Sequence, residues 1–357
     1  MTKTICLFNH KGGVSKTTSV FNIGWVLAEA RKRVLMVDLD PQCNLSGLVL
    51  GYSFIDDDQL ESFYLSRKNL TLYPIVEAIK NGGNPDSIVM NEKGEITKTN
   101  HKNLFLLPGH INTSELDTQI NVAINMTGSI VALKNIPGAL PKIVQTIATD
   151  NNIDYIIYDL SPGINALNEV VLMSSDYFIV PSSPDFFCLQ AINSLKKFIP
   201  AWHAEIASFK SKNNFTSETY PIRNNQQFLG LIQQRYRPRS GNPNKSLKEW
   251  MDTIRDAVNF DLVPALKKIK CVVAKEKILK SLQGSELSPY DLAYISDFNS
   301  LITISYHVSK PIFVLTDDDI EKNSKFYGIV KQTACENRDK FLETFTKLGK
   351  RILQITS

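Results

Sequence analysis

At 357 residues, 43% hydrophobic and 21% charged, the chain has the composition of an ordinary globular protein long enough to bury a full core. No run approaches the roughly 18 uninterrupted apolar residues of a membrane-spanning helix. The five cysteines (Cys6, Cys43, Cys188, Cys271 and Cys335) are isolated, which argues against a disulfide framework or a paired-cysteine zinc site, and a net charge of +4 means that any strongly basic face has to be local.

The first element is an apolar strand, KTICLF over residues 3–8, with neither h-region nor cleavage site ahead of it, so a cytoplasmic protein is expected. Asn9-His10-Lys11-Gly12-Gly13 breaks the run, and apolar side chains return at helical spacing over residues 16–30. The pattern reads as strand, loop, helix. A second strand, Arg33 to Val37, leads straight into Asp38 and Asp40, which puts carboxylates at the strand edge where ligands bind in open α/β sheets. Residues 51–100 are polar, with Asp56-Asp57-Asp58 and the turn-rich NGGNPD at 81–86, and read as a partly helical surface insertion. Further buried strands are expected at Leu104–Leu107, Tyr155–Tyr158, Tyr177–Val180, Phe228–Ile232 and Ile312–Leu315. Residues 236–300 open on the turn-rich PRSGNPN at 238–244 and read as a second, helical insertion, and a C-terminal helix is expected over about 322–353. The alternation predicts an α/β protein, a mostly parallel sheet with helices on both faces, built as a single domain over 1–357 with two insertions.

The chemistry is concentrated in Lys11-Gly12-Gly13-Val14-Ser15-Lys16-Thr17-Thr18. A phosphate chain needs many backbone N–H donors aimed at one point, and small residues let the backbone curl close to it. The helix starting near Lys16 adds its unpaired amides and positive dipole end, while Lys16 can reach the outer phosphates and the Thr17 hydroxyl can ligate Mg²⁺. KGGVSKTT resembles the deviant Walker A box of the ParA/MinD family of P-loop ATPases, which carries a second lysine at the start of the loop, Lys11 here. The resemblance implies ATP and Mg²⁺ as cofactors. It also implies an ATP-sandwich homodimer in which Lys11 reaches the phosphates bound by the other subunit. The sequence departs from the commonest pattern at Ser15, where glycine usually precedes the lysine, and at His10, where the general loop begins with glycine.

Four further blocks strengthen the resemblance. VLMVDLDPQCN over residues 34–44 is similar to the family's D-x-D-P-Q-x-N segment, which implies that Asp40 orients the attacking water and that Asp38 lies near the metal and switch region. YIIYDLSPG over residues 155–163 resembles Walker B with its switch loop, which implies that Asp159 holds Mg²⁺ through water, although Ser161 replaces the first of two prolines common there. VPSSPDFF over residues 180–187 resembles the segment bordering the base, where Phe186 and Phe187 read equally as core packing or base contacts. Gly230 to Gln234 resembles the strand whose polar end meets adenine, so the Gln234 amide is expected to pair with the base edge. The expected nucleotide-binding set is thus Gly12, Gly13, Val14, Ser15, Lys16, Thr17, Thr18 and Gln234. The expected metal set is Thr17, Asp38 and Asp159, and the expected catalytic set is Lys11, Lys16 and Asp40.

Iron-protein and arsenite-pump relatives pair their cysteines and tyrosine-kinase relatives end in a tyrosine cluster, whereas this chain ends in LGKRILQITS. Phe341, Phe345, Leu348 and Ile352 form a stripe that fits docking on the sheet better than a MinD-like membrane helix. Two classes of function remain. One is a partition or positioning ATPase whose dimer binds DNA without sequence preference and whose slow hydrolysis is stimulated by a partner protein. The other is an ATP-switched regulatory or defence-operon subunit that acts through a protein partner. Residues 235–280 hold twelve basic and five acidic side chains, a net of +7 that leaves −3 for the rest of the chain. That segment reads as a phosphate-binding face or as a solvated helical surface.

Overall fold

The computed structural model describes residues 2–51, 57–66, 68–82, 94–126, 133–216, 218, 220–236, 238–239, 242–243, 245–324 and 327–357. Among them the strands are β1 (Lys3–Leu7), β2 (Val34–Asp38), β3 (Thr97–Lys98), β4 (Leu104–Leu107), β5 (Tyr155–Asp159), β6 (Tyr177–Ser182), β7 (Gln227–Tyr236), β8 (Pro238–Arg239), β9 (Asn242–Pro243) and β10 (Asp291–Ser296). All but β8 and β9 form one sheet in the order β10-β7-β6-β1-β5-β2-β4-β3, with every pair parallel except the antiparallel edge β3–β4. β2, β4 and β5 are buried at every position. Strands covered on both faces read as unbroken apolar runs, which is why VLMVD and YIIYD stand out in the sequence.

The register sets the geometry of the site. Leu7 and Asp38 both lie opposite Asp159, so β1, β5 and β2 finish level with one another, while β6 runs on from Ile179, opposite Leu7, to Ser182, and β7 from Gln233, opposite Ser182, to Tyr236. β1 leads to β2 on one side while β6 lies on the other, and the loops after them open a crevice at that reversal.

The helices are α1 (Lys16–Glu29), α2 (Asn44–Leu50), α3 (Asp57–Leu65), α4 (Leu72–Lys80), α5 (Thr113–Asn125), α6 (Ile136–Asp150), α7 (Ala166–Ser174), α8 (Phe186–Lys212), α9 (Lys245–Ala257), α10 (Val263–Lys268), α11 (Lys275–Ser281), α12 (Leu301–Val308), α13 (Asp317–Ser324) and α14 (Gly328–Thr356). α14 packs on α1, on β10 and on the turn at 312–314. Its stripe of Phe341, Phe345, Leu348 and Ile352 is buried there, so the C-terminal helix docks on the body of the protein.

Three expectations are corrected. Ile312–Leu315 is not a strand: Ile312–Val314 is a single 3₁₀ turn entered through Pro311, and its apolar side chains face α14. The segment read as an insertion over 236–300 ends in β10, a full parallel member of the main sheet. The C-terminal helix starts at Gly328, with α13 as a separate helix before it. In the other expected insertion, α3, α4 and the edge strand β3 are ordered elements, while 52–56 and 83–93 lie outside the described residues. No helix among the described residues is long and apolar enough to cross a membrane.

Candidate nucleotide site

β1 delivers the glycine-rich loop to the centre of the crevice, and Asn9 anchors it. The Asn9 side chain is fully buried, donates from Nδ2 to the Pro181 carbonyl at 2.8 Å and accepts the Lys11 N–H at 2.9 Å, which ties the first turn of the loop to β6. Gly13 then takes φ +72°, and Ser15 takes φ +56°. The second is a strained state for a residue with a Cβ. Ser15 is also the N-cap of α1, so the unpaired amides of the first helical turn open towards the loop.

Lys16 lies inside this curl. Its side chain is buried and its Nζ donates to the carbonyls of Asn9 at 2.9 Å and Lys11 at 3.3 Å. Burial pushes its pKa down, and the charges of Asp159 and Asp40 oppose the fall. A backbone loop wrapped around a desolvated cation is preformed for an anion.

The carboxylates sit beside it. Asp38 and Asp159 are both fully buried, on adjacent strands in register. Asp38 Oδ2 accepts from the Ser46 N–H at 2.8 Å and the Ser46 hydroxyl at 2.7 Å, while its Oδ1 accepts from the Asp40 N–H at 3.3 Å. Burial raises its pKa to about 6, against the Ser46 hydrogen bonds. The backbone at Gly109 completes this nook, because a Cβ there would sit 2.7 Å from the Asp38 carbonyl oxygen. Asp159 differs, since both of its oxygens are buried without a hydrogen-bond partner. Burial and then the neighbouring Asp38 charge push its pKa well up, with the Thr17 hydroxyl and the Lys16 ammonium opposing. A buried, unpartnered carboxylate beside a hydroxyl is the donor set that a hard cation accepts. Among the described residues no three His, Cys, Asp or Glu side chains form a cation cage, so Mg²⁺ here would draw further ligands from phosphate and water. Asp40 is buried with its Oδ1 accepting the Gln42 N–H at 3.0 Å, and the switch loop touches the glycine-rich loop where Gly163 N–H donates to the His10 carbonyl at 3.0 Å.

The expected residues therefore lie around one crevice, and three others join them. Gln234 is fully buried beneath the loop: its amide donates to the Val14 carbonyl at 2.6 Å and accepts the Ser19 hydroxyl at 3.0 Å. It braces the loop from β7. Phe186 and Phe187 are exposed rather than core residues. The additions are Asp185, Arg235 and Tyr306. Asp185 caps α8 by accepting the Cys188 N–H at 2.9 Å, and its other oxygen holds Lys11 at 2.6 Å. Arg235 donates to the Gly13 carbonyl. Tyr306 of α12 lies by the Thr18 hydroxyl and within the field of Asp159, although burial dominates the rise in its pKa. No motif marks Tyr306, and Arg235 was counted only among the basic residues of 235–280. A cavity of about 750 Å³ opens elsewhere, at the opposite edge of the sheet between Gly138, Asp176 and Tyr220, so volume alone does not locate the site.

Parallel strands ending at one crevice, an anion loop and a buried carboxylate free for a cation define a P-loop nucleotide-binding protein. Comparison with known proteins narrows the class. A family model described as an AAA domain matches residues 2–212. The virulence plasmid ParA family protein pGP5-D of Chlamydia psittaci is 27% identical over 232 residues, 61% of this chain and 73% of its own. The sporulation initiation inhibitor protein Soj of Bacillus subtilis is 31% identical over 195 residues, 55% of this chain and 64% of its own. The cell division ATPase MinD of Pyrococcus furiosus shares the fold with a TM-score of 0.51 at 17% identity, over 99% of both chains. The chain belongs to the ParA/MinD family of P-loop ATPases, whose site takes ATP with Mg²⁺.

Proposed function

We propose that the whole chain works as one ParA-type ATPase unit, in which ATP drives face-to-face dimerisation and the dimer binds DNA during partition or the positioning of a cargo. The observation that carries this reading is the contrast between two lysines. Lys16 fills its own loop, whereas the Lys11 ammonium leaves that loop for the rim, against Asp185 and 5.8 Å from the Phe187 ring centroid. An ammonium directed out of its own cradle is available to a nucleotide held by a facing subunit.

In this reading the amides of Gly12, Gly13, Val14 and Ser15, with Thr18 in the first turn of α1, wrap the phosphates, and Lys16 balances their outer charge. The Thr17 hydroxyl and Asp159 hold Mg²⁺, which neutralises phosphate charge when bound. Asp40 orients the attacking water, and Asp38 ties the switch helix α2 to β2 through Ser46. A partner protein that stimulates hydrolysis belongs to the same reading, as does the cytoplasmic location. The exposed lysines between residues 245 and 280 supply the DNA face. Of the arginines counted there from sequence, Arg237 and the side chain of Arg239 lie outside the described residues.

Light scattering with and without ATP and Mg²⁺ tests the switch. The wild type should double its mass with ATP only. Lys16→Ala should fail to bind ATP, and Lys11→Ala should bind it yet stay monomeric. Asp40→Ala should bind and dimerise but turn over slowly. A Lys11→Ala protein that dimerises like the wild type refutes the sandwich, and absence of ATP-dependent DNA binding at low salt moves the reading to an ATP-switched subunit with a protein partner.

A further inference from the structure

We infer that the cavity at the opposite edge of the sheet is a second ligand site, suited to a small, uncharged aromatic molecule that offers a hydrogen-bond acceptor to Tyr158. The inference does not depend on the reading of the nucleotide crevice, with which the cavity shares no residue.

Size is the first observation. The cavity holds about 750 Å³, within the range of about 300–1,000 Å³ in which small-molecule sites fall. Voids left by packing in a protein interior are seldom larger than a water molecule, so close packing alone does not account for a space of this size.

The second observation is a fixed aromatic wall. Gly138 of α6 comes so close to Tyr220 that a Cβ on it would sit 2.9 Å from the ring carbon Cζ, so the missing side chain is what lets the ring lie against the helix. Tyr220 is buried and donates its hydroxyl to the Lys134 carbonyl at 3.3 Å. Its ring stacks on Phe215 with centroids 4.2 Å apart and planes 14° from parallel. A ring held by a helix and by a second ring has little freedom left to lose, which favours a flat aromatic ligand.

The third is a buried donor with nothing to bind. Tyr158 of β5 lines the cavity and is 3% exposed, and among the described residues its hydroxyl has no hydrogen-bond partner. Nearly all buried polar groups in folded proteins are hydrogen-bonded, so this one points to an occupant of the cavity. Burial, and after it Cys6 and Asp176, raise its pKa, so the hydroxyl keeps its proton and donates it.

Charge selects among aromatic ligands. The cavity is lined by two cations, Lys142 and Arg223, and two acids, Asp176 and Glu218, whose formal charges cancel. Asp176 is engaged within the protein: its Oδ2 accepts the Thr4 N–H at 2.9 Å and the Thr4 hydroxyl at 3.0 Å, and its Oδ1 accepts from Arg223 at 3.2 Å. An ion of either sign would meet its own kind as well as its opposite. An uncharged aromatic amide or ketone brings a flat face for the wall and an acceptor for the phenol.

Ligand-observed NMR titration of the full chain with 2-naphthamide, its anionic analogue 2-naphthoate and the non-aromatic cyclohexanecarboxamide tests these requirements. The wild type should bind 2-naphthamide with a Kd on the order of 0.1–1 mM, ordinary for a ligand of that size, and the other two at least about tenfold more weakly. Tyr158→Phe removes only the hydroxyl and should weaken 2-naphthamide by about threefold to tenfold, the scale of one hydrogen bond. Gln145→Trp, at a partly exposed position of α6 on the cavity wall, should fill the space and abolish binding. Saturating ATP should leave the wild-type affinity for 2-naphthamide unchanged. No saturable binding of 2-naphthamide to the wild type, an unchanged affinity in either variant, or displacement of the probe by ATP overturns the inference.

Discussion

The ammonium of Lys11 lies 2.6 Å from Oδ2 of Asp185, whose other oxygen caps α8 by accepting the Cys188 N–H at 2.9 Å. One carboxylate thus joins the start of the glycine-rich loop to the start of α8, the 27-residue helix that follows β6. If Lys11 acts across a dimer, this intramolecular pair competes with the partner's nucleotide. Asp185→Asn is the clean test, since asparagine is an equally good N-cap and removes only the charge. Half-exposed pairs of this kind contribute about 0.2–1 kcal/mol. The variant should therefore dimerise at an ATP concentration roughly 1.4 to 5 times lower than the wild type. A midpoint that is unchanged, or higher, would show that the pair does not oppose dimerisation.

Ser15 offers a stability prediction at the other end of the loop. It holds φ +56° with a Cβ, a conformation that costs about 1–2 kcal/mol. Ser15→Gly removes that strain but frees the unfolded chain, which takes back about 0.4–1 kcal/mol. The net should be stabilising by about 0.5–1 kcal/mol, read as a higher midpoint in denaturant with an unchanged slope. A lower midpoint would mean that the serine side chain stabilises the loop by more than its backbone strain.

How much of this was legible in the sequence depended on how strictly each element's chemistry constrains its residues. The loop from Lys11 to Thr18 was readable because a phosphate cradle needs glycine, lysine and a hydroxyl at set positions, and β2 and β5 because strands buried on both faces are apolar throughout. β10 was missed because DLAYIS puts Asp291, Tyr294 and Ser296 among its apolar residues and follows a helical stretch. Ile312–Val314 was misread because an apolar run of this length fits a strand or a turn equally, and only its packing on α14 decides. The strand pattern placed Gln234 at the polar end of β7, but its bonds to the Val14 carbonyl and the Ser19 hydroxyl, 220 and 215 positions away, left no signal there. The Lys11–Asp185 pair joins residues 174 positions apart and left no signal in either segment.

Asp38 and Asp159 predict a trade between stability and function. Both carboxyls have pKa values raised by burial, Asp38 to about 6 from an ordinary 3.8 and Asp159 well above 3.8. A group that binds its proton more tightly when folded contributes stability that is full below its unfolded pKa and is lost as pH rises through the folded one. The nucleotide-free protein should therefore lose stability from these two groups as pH rises from about 4 through 6, and for Asp159 beyond. Asp159→Asn removes a buried charge whose oxygens accept no hydrogen bond, at the cost of its attraction to Lys16, so it should stabilise the nucleotide-free protein at pH 7.5 by about 1–3 kcal/mol while abolishing Mg²⁺-dependent turnover. Thermal melts of both proteins between pH 5 and 8 check this, and a difference that does not grow with pH would contradict the burial argument.

If the dimer binds DNA as proposed, the positions of the lysines decide which of them meet it. The basic residues of 235–280 do not form one patch: Arg235 lies on the loop, and Arg255 is paired with Asp252 at 2.6 Å and Asp256 at 3.0 Å. The exposed lysines fall into groups along the edge of the sheet. Lys245 and Lys248 start α9, which follows the nucleotide end of β7, whereas Lys267, Lys268 and Lys270 lie at the opposite end, where Gln227 Nε2 donates to the Lys270 carbonyl at 2.9 Å. A strand the length of β7 separates the two groups by about 30 Å. Dimerisation across the nucleotide face would crowd the first group and leave the second open. A dimer neutralising about 4 to 6 phosphates should give a slope of log K against log salt of about −3.5 to −5.5. Changing Lys267, Lys268 and Lys270 together to alanine should remove most of that slope, whereas changing Lys245 and Lys248 should remove little. The measurement is a salt series with ATP on two unrelated duplexes, where the sequences should bind alike. A slope that survives the triple substitution and falls with the double one would move the DNA face to the nucleotide edge.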